Sequence, residues 1–531
     1  MNINKVFLKS NVRIVPLLWK WYAWSYLIAP HTAALNILKR HIKIMESFLE
    51  NPEIHYEASN NPNLIGGPFI NLPENYVEQV QILLNWTYQN CAEYIEFAKN
   101  IDQTRNKLLQ ECKGQSLESY YEYLPKNLKG ILELVYDLND SVNIKFFEPL
   151  VYNKFYNNKA QSIYLEFINH NNNLSFILST PYLGQSNGLN IEIPFSSPVI
   201  DKLSASRKYG INLEEVIEYL PQNLDISAFK NFFCNEPANS VSNNNFLENS
   251  IRIRYFGHAC ILLETSKLSI LIDPLIAYDS QTQSENFSFK DLPDKIDYLL
   301  ISHNHQDHVV FESLLQLRHK VEHVIVPQNN TGMIQDPSLA LIFERLGFQS
   351  IIESIEFKKI SDLNMIITPV PFIGEHSDLD IRTKIGYHIV LNSHSFLFLI
   401  DSRNMDSSLY ENTFRIIGRT DYIFLGMECV GAPMSWLYGP LFSNKITRNY
   451  DNQRRLSGSD FAKAQQIIQS TKCNNIFIYA MGLEQWLSHI LTLNYNDNSP
   501  QLIEAKMLVD WCKQNNKNAE ILFSKKELII K

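Results

Sequence analysis

Residues 302–308 read Ser-His-Asn-His-Gln-Asp-His and directly follow an apolar run, Tyr-Leu-Leu-Ile, at residues 298–301. A strand that ends in this way can offer imidazoles to one metal ion and an adjacent aspartate–histidine pair to a second. Burying these ligands so close together would be costly without a cation. A solvated polar loop is the plain alternative, but the spacing favours a binuclear metal site at a strand end.

Length and composition predict a folded protein of two domains. The chain has 531 residues, of which 45% are hydrophobic and 19% are charged. These values suffice for sizeable cores and are unlike those of a disordered protein. The net charge of −9 argues against a dedicated nucleic-acid-binding protein, although it leaves room for a local basic surface that meets an acidic protein partner.

The cysteines and the N-terminus predict a cytoplasmic location. Seven cysteines are scattered without a C-x-x-C pair, which is typical of reduced thiols. The N-terminus lacks the pattern of a typical signal peptide. Residues 12–30 are apolar and aromatic, but Arg13, Pro16 and Lys20 interrupt them, so we expect buried structure there and no membrane span.

An Asn/Ser-rich segment, residues 235–245, has the composition of a linker. It divides a predicted N-terminal domain, residues 1–245, from a predicted C-terminal domain, residues 246–531. In the N-terminal half, apolar positions recur at helical spacing over residues 32–49 and 77–88. Residues 162–178 read as two strands around a polar hairpin tip, residues 170–173. We therefore expect a separate, mixed α+β N-terminal domain.

The C-terminal half is rich in short apolar strands. Residues 251–255 alternate apolar side chains with arginine, which predicts an amphipathic strand. A helix is predicted at residues 311–317, and another at 461–468 with Ser459 as its N-cap. Further strands are predicted at residues 260–263, 268–272, 324–326, 396–400, 422–425 and 476–479. This pattern indicates an α/β layer fold with functional groups where strands give way to loops.

A binuclear site needs about six to eight ligand atoms, so residues 302–308 require partners further along the chain. Asp401 ends an apolar strand and has two oxygens that can bridge two ions, although an ordinary turn also explains an aspartate there. His489 is the only histidine after His394 and follows a strand and a Gly-containing turn, which makes it a further candidate ligand.

Glu375 and His376 are adjacent, and neighbouring side chains in an extended segment point to opposite sides. We therefore expect one of the two to enter the site. His376 would suit a hydrolytic zinc site, whereas Glu375 would suit a carboxylate-rich iron site that uses oxygen. His258 and Asp273 are interpreted as residues that support the ligands or the fold.

These motifs resemble those of the metallo-β-lactamase fold. The resemblance is carried by His303-x-His305-x-Asp307-His308, by Tyr255-Phe256-Gly257-His258-Ala259 and by Ile272-Asp273-Pro274, and it covers about residues 250–531. It implies a four-layer αββα sandwich with a binuclear metal site at one sheet edge. Most members of that superfamily are zinc hydrolases.

The whole chain is similar to a narrower group, the diiron β-hydroxylases related to that of chloramphenicol biosynthesis. These enzymes hydroxylate the β-carbon of an amino acid that is tethered as a thioester to a carrier domain of a nonribosomal peptide synthetase. The similarity is carried by Trp21-Tyr22-Ala23-Trp24, Phe147-Glu148-Pro149-Leu150, Ser179-Thr180-Pro181, Gly374-Glu375-His376, Gly431-Ala432-Pro433 and Trp436-Leu437-Tyr438-Gly439-Pro440.

This resemblance implies two iron ions as the cofactor. Carried over by position, it implies that His303, His305 and Glu375 hold one iron. Asp307, His308 and His489 would then hold the other, with Asp401 as the bridge. A glutamate in place of the superfamily's usual histidine is the group's signature, but His376 beside it leaves the choice open. His489 is assigned only by its order along the chain.

The resemblance also implies partners. Dioxygen would be a co-substrate, and electrons would come from an external donor because the sequence shows no flavin, haem or iron–sulfur motif. The N-terminal domain would cover the metal site, dock the carrier domain or form a homodimer. Arg448, Arg454 and Arg455 are one candidate basic docking cluster, although solvated surface charges explain them more simply.

Two other functions remain open. One is a hydrolase with two zinc ions, such as a lactonase or phosphodiesterase, which uses a metal-bound hydroxide and His376 as a ligand. The other is a carrier-domain-binding protein without catalytic activity. The iron and zinc contents of the purified protein distinguish the oxygenase from the hydrolase. Binding of the carrier domain without turnover would indicate the binding protein.

Overall fold

The computed structural model describes residues 5–61, 64, 66–168, 175–184, 188–237, 250–279 and 286–531. The predicted hairpin tip at 170–173 lies outside the described residues, and so does most of the predicted linker at 235–245.

The N-terminal half combines helices with short strands. Its strands are β1 Phe7–Leu8, β2 Val12–Leu18, β3 Trp21–Tyr22, β4 Leu132–Tyr136, β5 Val142–Phe146, β6 Gln161–Phe167, β7 Leu189–Ile191 and β8 Phe233–Cys234. Its helices are α1 Ser25–Ile28, α2 Pro30–Asn36, α3 Ile42–Glu50, α4 Pro52–Ser59, α5 Val77–Asn90, α6 Ala92–Glu111, α7 Glu148–Phe155, α8 Pro198–Tyr209, α9 Glu214–Ile217 and α10 Ile226–Lys230. A single π-helical turn, Ile37–His41, joins α2 to α3.

The C-terminal half alternates strands with helices. Its strands are β9 Ile251–Gly257, β10 Cys260–Glu264, β11 Ser269–Ile272, β12 Ile296–Leu300, β13 Val321–Pro327, β14 Ile351–Ser354, β15 Ile360–Asp362, β16 Met365–Val370, β17 Gly386–Leu391, β18 His394–Ile400, β19 Tyr422–Gly426, β20 Asn475–Tyr479, β21 Asn518–Ile521 and β22 Lys526–Ile530. Its helices are α11 Phe311–Leu317, α12 Leu339–Arg345, α13 Ser407–Ile417, α14 Met434–Tyr438, α15 Arg448–Gln453, α16 Phe461–Thr471, α17 Ser488–Leu491 and α18 Pro500–Gln514.

Two seven-stranded sheets form the centre of the C-terminal half. The first has the order β14-β13-β12-β11-β10-β9-β22, and the second has the order β15-β16-β17-β18-β19-β20-β21. Strands β11 to β14 run parallel to one another, as do β18 to β21. Consecutive parallel strands bring their carboxyl ends to the same edge, which is where loops can gather functional groups.

Strand alternation explains the four layers. In β18, Phe396 and Phe398 belong to the core between the two sheets, whereas Leu397 and Leu399 face a second core. That second core is completed by residues of α13, α16 and α18. On the other side, α11, α12 and the N-terminal half share one continuous core with the first sheet. The αββα sandwich and the separate mixed α+β N-terminal fold are therefore confirmed.

A buried ion pair joins the two halves. Arg13 in β2 donates from Nε and Nη2 to the two carboxylate oxygens of Glu312 in α11, at 2.7 and 2.8 Å. Tyr22 adds a hydrogen bond to the same carboxylate at 3.1 Å. The side chains of Arg13 and Glu312 are only 3% and 7% exposed. The N-terminal half is thus fastened to the helix that follows residues 302–308.

Several local expectations are confirmed and two are wrong. The helices predicted at 32–49 and 77–88 form as α2–α3 and α5. No strand forms over residues 175–178, because β6 pairs with β2 and β7 instead. Asp460, not Ser459, caps α16 by accepting from the Lys463 amide at 3.0 Å. Ser459 instead accepts a hydrogen bond from the Asn404 amide.

The apolar segment near the N-terminus is buried structure, as expected: every residue of β2 is buried. No helix within the described residues is both long and apolar enough to cross a bilayer.

Replacing Arg13 tests the junction between the halves. Arg13→Ala leaves Glu312 buried without its cation, so the free energy of unfolding should fall by about 3–5 kcal/mol in a denaturant titration. Lys43→Ala is the control, because Lys43 and Glu46 form a surface pair with side chains 69% and 40% exposed. The free energy of unfolding of the control should fall by less than about 1 kcal/mol. If both variants lose the same free energy of unfolding, the buried pair does not stabilise the junction.

Candidate metal centre

Six of the seven predicted ligands meet where strands of both sheets end. Residues 303–308 follow β12, Glu375 follows β16 and Asp401 follows β18. None of the six is more than 8% exposed. Their donor atoms fall into three groups, each within 4.8 Å: His303, His305, Glu375 and His376; His258, Asp307 and His308; and His303, His308 and Asp401.

The third group lies between the other two. Asp401 Oδ2 is 3.7 Å from His303 Nε2 and 2.9 Å from His308 Nε2. His305 Nδ1 is 2.8 Å from Glu375 Oε1, on the first group's side. The Asp401 carboxylate thus reaches a histidine of each of the other two groups.

Unpaired buried atoms show that this donor set fits metal ions. His303 Nε2 and Asp401 Oδ1 are buried and have no hydrogen-bond partner in the described part of the chain. Buried polar atoms are nearly always hydrogen-bonded, so orphaned atoms at one place need an explanation. Imidazole nitrogens and carboxylate oxygens with free lone pairs are what a metal ion requires.

Neighbouring polar groups orient the imidazoles. Asp273 Oδ2 lies 2.9 Å from His308 Nδ1, and Asp273 Oδ1 accepts a hydrogen bond from the Ser302 amide at 2.8 Å. Ser302 Oγ lies 2.9 Å from His303 Nδ1. These contacts leave the Nε2 atoms of both histidines facing the site, which is how outer groups usually hold metal-binding histidines. His258 Nε2 supports Asp307 Oδ2 at 3.1 Å.

Burial and neighbouring charges shift the pKa values of these groups. Burial opposes charge on His308, but the carboxylates of Asp307 and Asp401 outweigh it and raise the histidine's pKa well above the ordinary value. Burial raises the pKa of Glu375, although His305 opposes that shift. Metal ions bind imidazole nitrogens and carboxylates in their deprotonated forms, so metal binding at these groups would depend on pH.

Strained backbone aims these side chains. His258, Asp273, Glu375 and Ile400 all have left-handed backbone, with φ between 41° and 61°. Such a conformation is uncommon outside glycine and is a genuine outlier for a β-branched residue such as Ile400. Strain of this kind clusters at functional sites, because the surrounding fold must hold it. The residue types at these four positions did not predict the left-handed backbone.

Glu375 and His376 both lie in the first group, because the left-handed turn at Glu375 breaks the extended geometry that would separate them. Glu375 Oε2 is 3.0 Å from His376 Nδ1.

Arg454 holds this loop by donating from Nε and Nη2 to the Ser377 carbonyl at 2.9 and 2.6 Å. In the candidate basic cluster, Arg455 likewise donates to a backbone carbonyl, of Gly431, and Arg448 is exposed.

His489 is not brought to the site. None of the three ligand groups among the described residues includes it. It lies in α17 near the Arg13–Glu312 pair, where burial and the charge of Arg13 lower its pKa to about 3. The expectation that it binds the second metal finds no support in this arrangement.

Glu428 was missed by the sequence reasoning. It follows β19, and burial together with the charges of Asp401 and Asp307 raises its pKa well above the ordinary value. It is therefore a further carboxyl group near the site. The available signal was its place just after a predicted strand, which is the argument that identified Asp401.

The fold and these groups define a binuclear metal-dependent enzyme of the β-lactamase superfamily. Residues 252–397 match the family model of the beta-lactamase superfamily domain, and residues 7–237 match that of the diiron non-heme beta-hydroxylase N-terminal domain. The chain is 32% identical over 534 residues to the 4-amino-L-phenylalanyl-CmlP-peptidyl-carrier-protein 3-hydroxylase of Streptomyces venezuelae, covering 98% of this chain and 99% of that relative.

Solved structures agree over the full length. The crystal structure of CmlA, a diiron β-hydroxylase from Streptomyces venezuelae, superposes with a TM-score of 0.91 at 31% identity and covers 99% of each chain. A glutamate-to-aspartate variant of CmlA superposes with a TM-score of 0.90 at 30% identity, covering 99% of this chain and 100% of that one. The protein belongs to the diiron β-hydroxylase family, whose members use two iron ions.

Asp273 offers a test of the groups around the ligands. Asp273→Asn should weaken metal binding by about 10- to 100-fold, because the amide cannot hold His308 Nδ1 as a carboxylate does. Competition with a coloured chelator for Zn²⁺ or Fe²⁺ measures the affinity. Asp510→Asn, at an exposed position in α18, is the control and should leave the metal affinity unchanged. An unaltered affinity in Asp273→Asn would show that this carboxylate does not support the site.

Proposed function

We propose that the protein hydroxylates the β-carbon of an amino acid held as a thioester on a carrier domain of a nonribosomal peptide synthetase. Similarity to a carrier-protein hydroxylase over 98% of the chain supports this reaction. The structural observation that carries the proposal is the Glu375 carboxylate beside His303 and His305, in a buried set with further carboxylates. Hard oxygen donors suit iron in oxygen chemistry.

The residues have distinct proposed roles. His303, His305 and Glu375 would hold one iron, Asp307 and His308 would hold the other, and Asp401 would be shared between them. We assign Glu428, in place of His489, to the surroundings of the second iron because it lies near both Asp307 and Asp401. The bound irons supply the activation of dioxygen. The chain orients the ligands and excludes water from a centre whose proposed ligands are at most 8% exposed.

The two halves divide the work in this proposal. Residues 246–531 form the catalytic domain, and residues 1–245 form a domain that covers it and receives the carrier domain. The two family-model matches, 7–237 and 252–397, fall on either side of the proposed boundary. Dioxygen and an external electron donor are the other partners. We place the reaction in the cytoplasm, since all seven cysteines are free thiols.

The reaction is tested with an aminoacylated carrier protein. Iron-loaded, chemically reduced protein is exposed to dioxygen and 4-amino-L-phenylalanyl carrier protein, with other aminoacyl carriers in parallel, and addition of one oxygen atom is followed by mass spectrometry. Glu375→Gln should lower product formation by more than about 100-fold, because an amide does not supply the anionic ligand. His376→Gln is the matched control, and its rate of product formation should fall by less than about tenfold. Full activity in Glu375→Gln would refute the assignment.

A binuclear zinc hydrolase is the second candidate, and the presence of His376 in the first ligand group favours it. If the protein is a zinc hydrolase, zinc-loaded protein should cleave a lactone or a phosphodiester. The His376→Gln variant should lose this cleavage, and the Glu375→Gln variant should retain it. Iron and zinc contents of protein expressed in iron-rich medium decide between the two functions. A protein that contains only zinc and hydrolyses these esters would exclude the hydroxylase.

A further inference from the structure

A short helix beside the metal centre, α15, stands out from the surface and lies in a basic segment of the chain. Five of its six residues are exposed. Residues 444–455, which include α15, contain four basic residues: Lys445, Arg448, Arg454 and Arg455. Asp451 is the only carboxylate in the segment, so its net charge is +3 in a chain whose net charge is −9.

Two of these cations and one aromatic side chain face solvent. Lys445 and Arg448 are exposed, and neither forms an ion pair within the described part of the chain. Tyr450 is 59% exposed. Arginine and tyrosine are enriched at protein interfaces, where a few such side chains carry most of the binding energy. This combination suits contact with an acidic protein surface.

The basic segment is fastened to loops that surround the metal centre. Arg454 donates from Nε and Nη2 to the carbonyl of Ser377, two residues beyond Glu375, at 2.9 and 2.6 Å. Arg455 donates from Nε to the Gly431 carbonyl at 2.7 Å. A carbonyl has no net charge, so these hydrogen bonds hold the segment in place without a carboxylate partner for either arginine.

A second attachment joins α15 to α14. Asp451 accepts hydrogen bonds from the amide and the hydroxyl of Ser435, at 2.8 and 2.6 Å. The last residue of α14 is Tyr438, whose hydroxyl lies 3.0 Å from His305 Nε2. The exposed side of α15 is therefore one helix away from the ligand group.

The N-terminal half reaches the same place. Arg105 in α6 donates to the Leu441 carbonyl at 2.6 Å, and Lys39 donates to the Phe442 carbonyl at 2.5 Å. Leu441 and Phe442 lie just before residues 444–455 in the chain. The basic segment thus lies where the two halves of the molecule meet.

The proposed substrate brings negative charge to its docking site. An amino acid held as a thioester is attached to a phosphopantetheine arm, and a phosphodiester joins that arm to the carrier domain. Because the arm has a fixed length, the carrier domain must dock within its reach of the metal centre. Lysine and arginine are the side chains that bind phosphate groups. A basic segment beside the ligand loops therefore matches a carrier domain in both position and charge.

We propose that Lys445, Arg448 and Tyr450 form a docking surface for the carrier domain, with the two cations toward the phosphodiester of its arm and the acidic residues around it. This inference rests on the proposed hydroxylation of a carrier-bound amino acid. It extends the docking surface from the N-terminal half onto the catalytic domain. Solvated surface charge, the plain alternative, predicts that these side chains have no effect on carrier binding.

Carrier binding is measured directly by the fluorescence anisotropy of labelled 4-amino-L-phenylalanyl carrier protein, with metal-loaded protein and without dioxygen. Replacing Lys445→Glu and Arg448→Glu together should raise the Kd by about tenfold or more, because two attractive charges become repulsive. Tyr450→Ala should raise the Kd by about tenfold, as loss of an aromatic contact at an interface does. The wild-type Kd should rise with salt, and the Kd of the charge-reversed variant should depend on salt less.

Lys267→Glu combined with Lys513→Glu is the matched control, since it reverses the same number of charges. Lys267 is exposed in the turn before β11, and the opposite end of β11 leads to Asp273 at the metal centre. Lys513 is exposed in the last turn of α18. The control should keep the wild-type Kd. An unchanged Kd in the variant of Lys445 and Arg448, an equal rise in the control, or no carrier binding by the wild type would overturn the proposal.

Steady-state hydroxylation separates docking from catalysis. The charge-reversed variant should show a raised KM for the aminoacyl carrier protein, with kcat and metal content as in the wild type. A lowered kcat with an unchanged KM would overturn the docking role. Chemical reduction replaces the electron donor in this assay, so docking of a donor protein does not contribute. The anisotropy measurement needs no turnover, so a failure of the proposed hydroxylation is distinguished from a failure of this inference.

Discussion

Carboxylates and imidazoles buried together where strands of both sheets end are the constraint on which the rest of this structure depends. Asp307, Glu375 and Asp401 are each at most 8% exposed, and water cannot compensate their charges at that depth. Metal ions held by these side chains would compensate that charge. The left-handed strand ends and the Arg454 contact to the Glu375 loop hold the ligands against their mutual repulsion.

The N-terminal half belongs to this arrangement. Its Arg13 pairs with Glu312 in the helix that directly follows residues 302–308, so the two halves meet beside the ligand stretch. Its π-helical turn holds α14, which carries Tyr438 to His305. The face of the first sheet that α11 and α12 cover is also covered by the N-terminal half, which shares a continuous core with it.

The scaffold does not determine the chemistry. One αββα sandwich serves hydrolases and oxygenases alike, and the function follows from the donor atoms that the loops deliver. In this chain Glu375 and His376 stand side by side in the same ligand group, so both kinds of donor are within reach. Carboxylates at Asp307, Asp401 and Glu428 shift the balance toward oxygen donors, in agreement with membership in a diiron family.

Local pattern was sufficient for much of the architecture. The ligand spacing in residues 302–308, the strand periodicities of the second half and the helix at 311–317 depend on neighbours a few residues apart, and all appear where the sequence predicts them. Six of the seven predicted ligands meet, because they follow strand ends of the two sheets that pack face to face.

Long-range contacts required the folded chain. Neither His489, which lies beside Arg13, nor Glu428, which lies near Asp401, can be placed by order along the sequence. The same holds for Tyr26 and Tyr438, which are hundreds of residues apart and meet only because two domains pack together. Residue spacing controls geometry over one or two turns of chain; which distant side chains become neighbours depends on how whole layers dock.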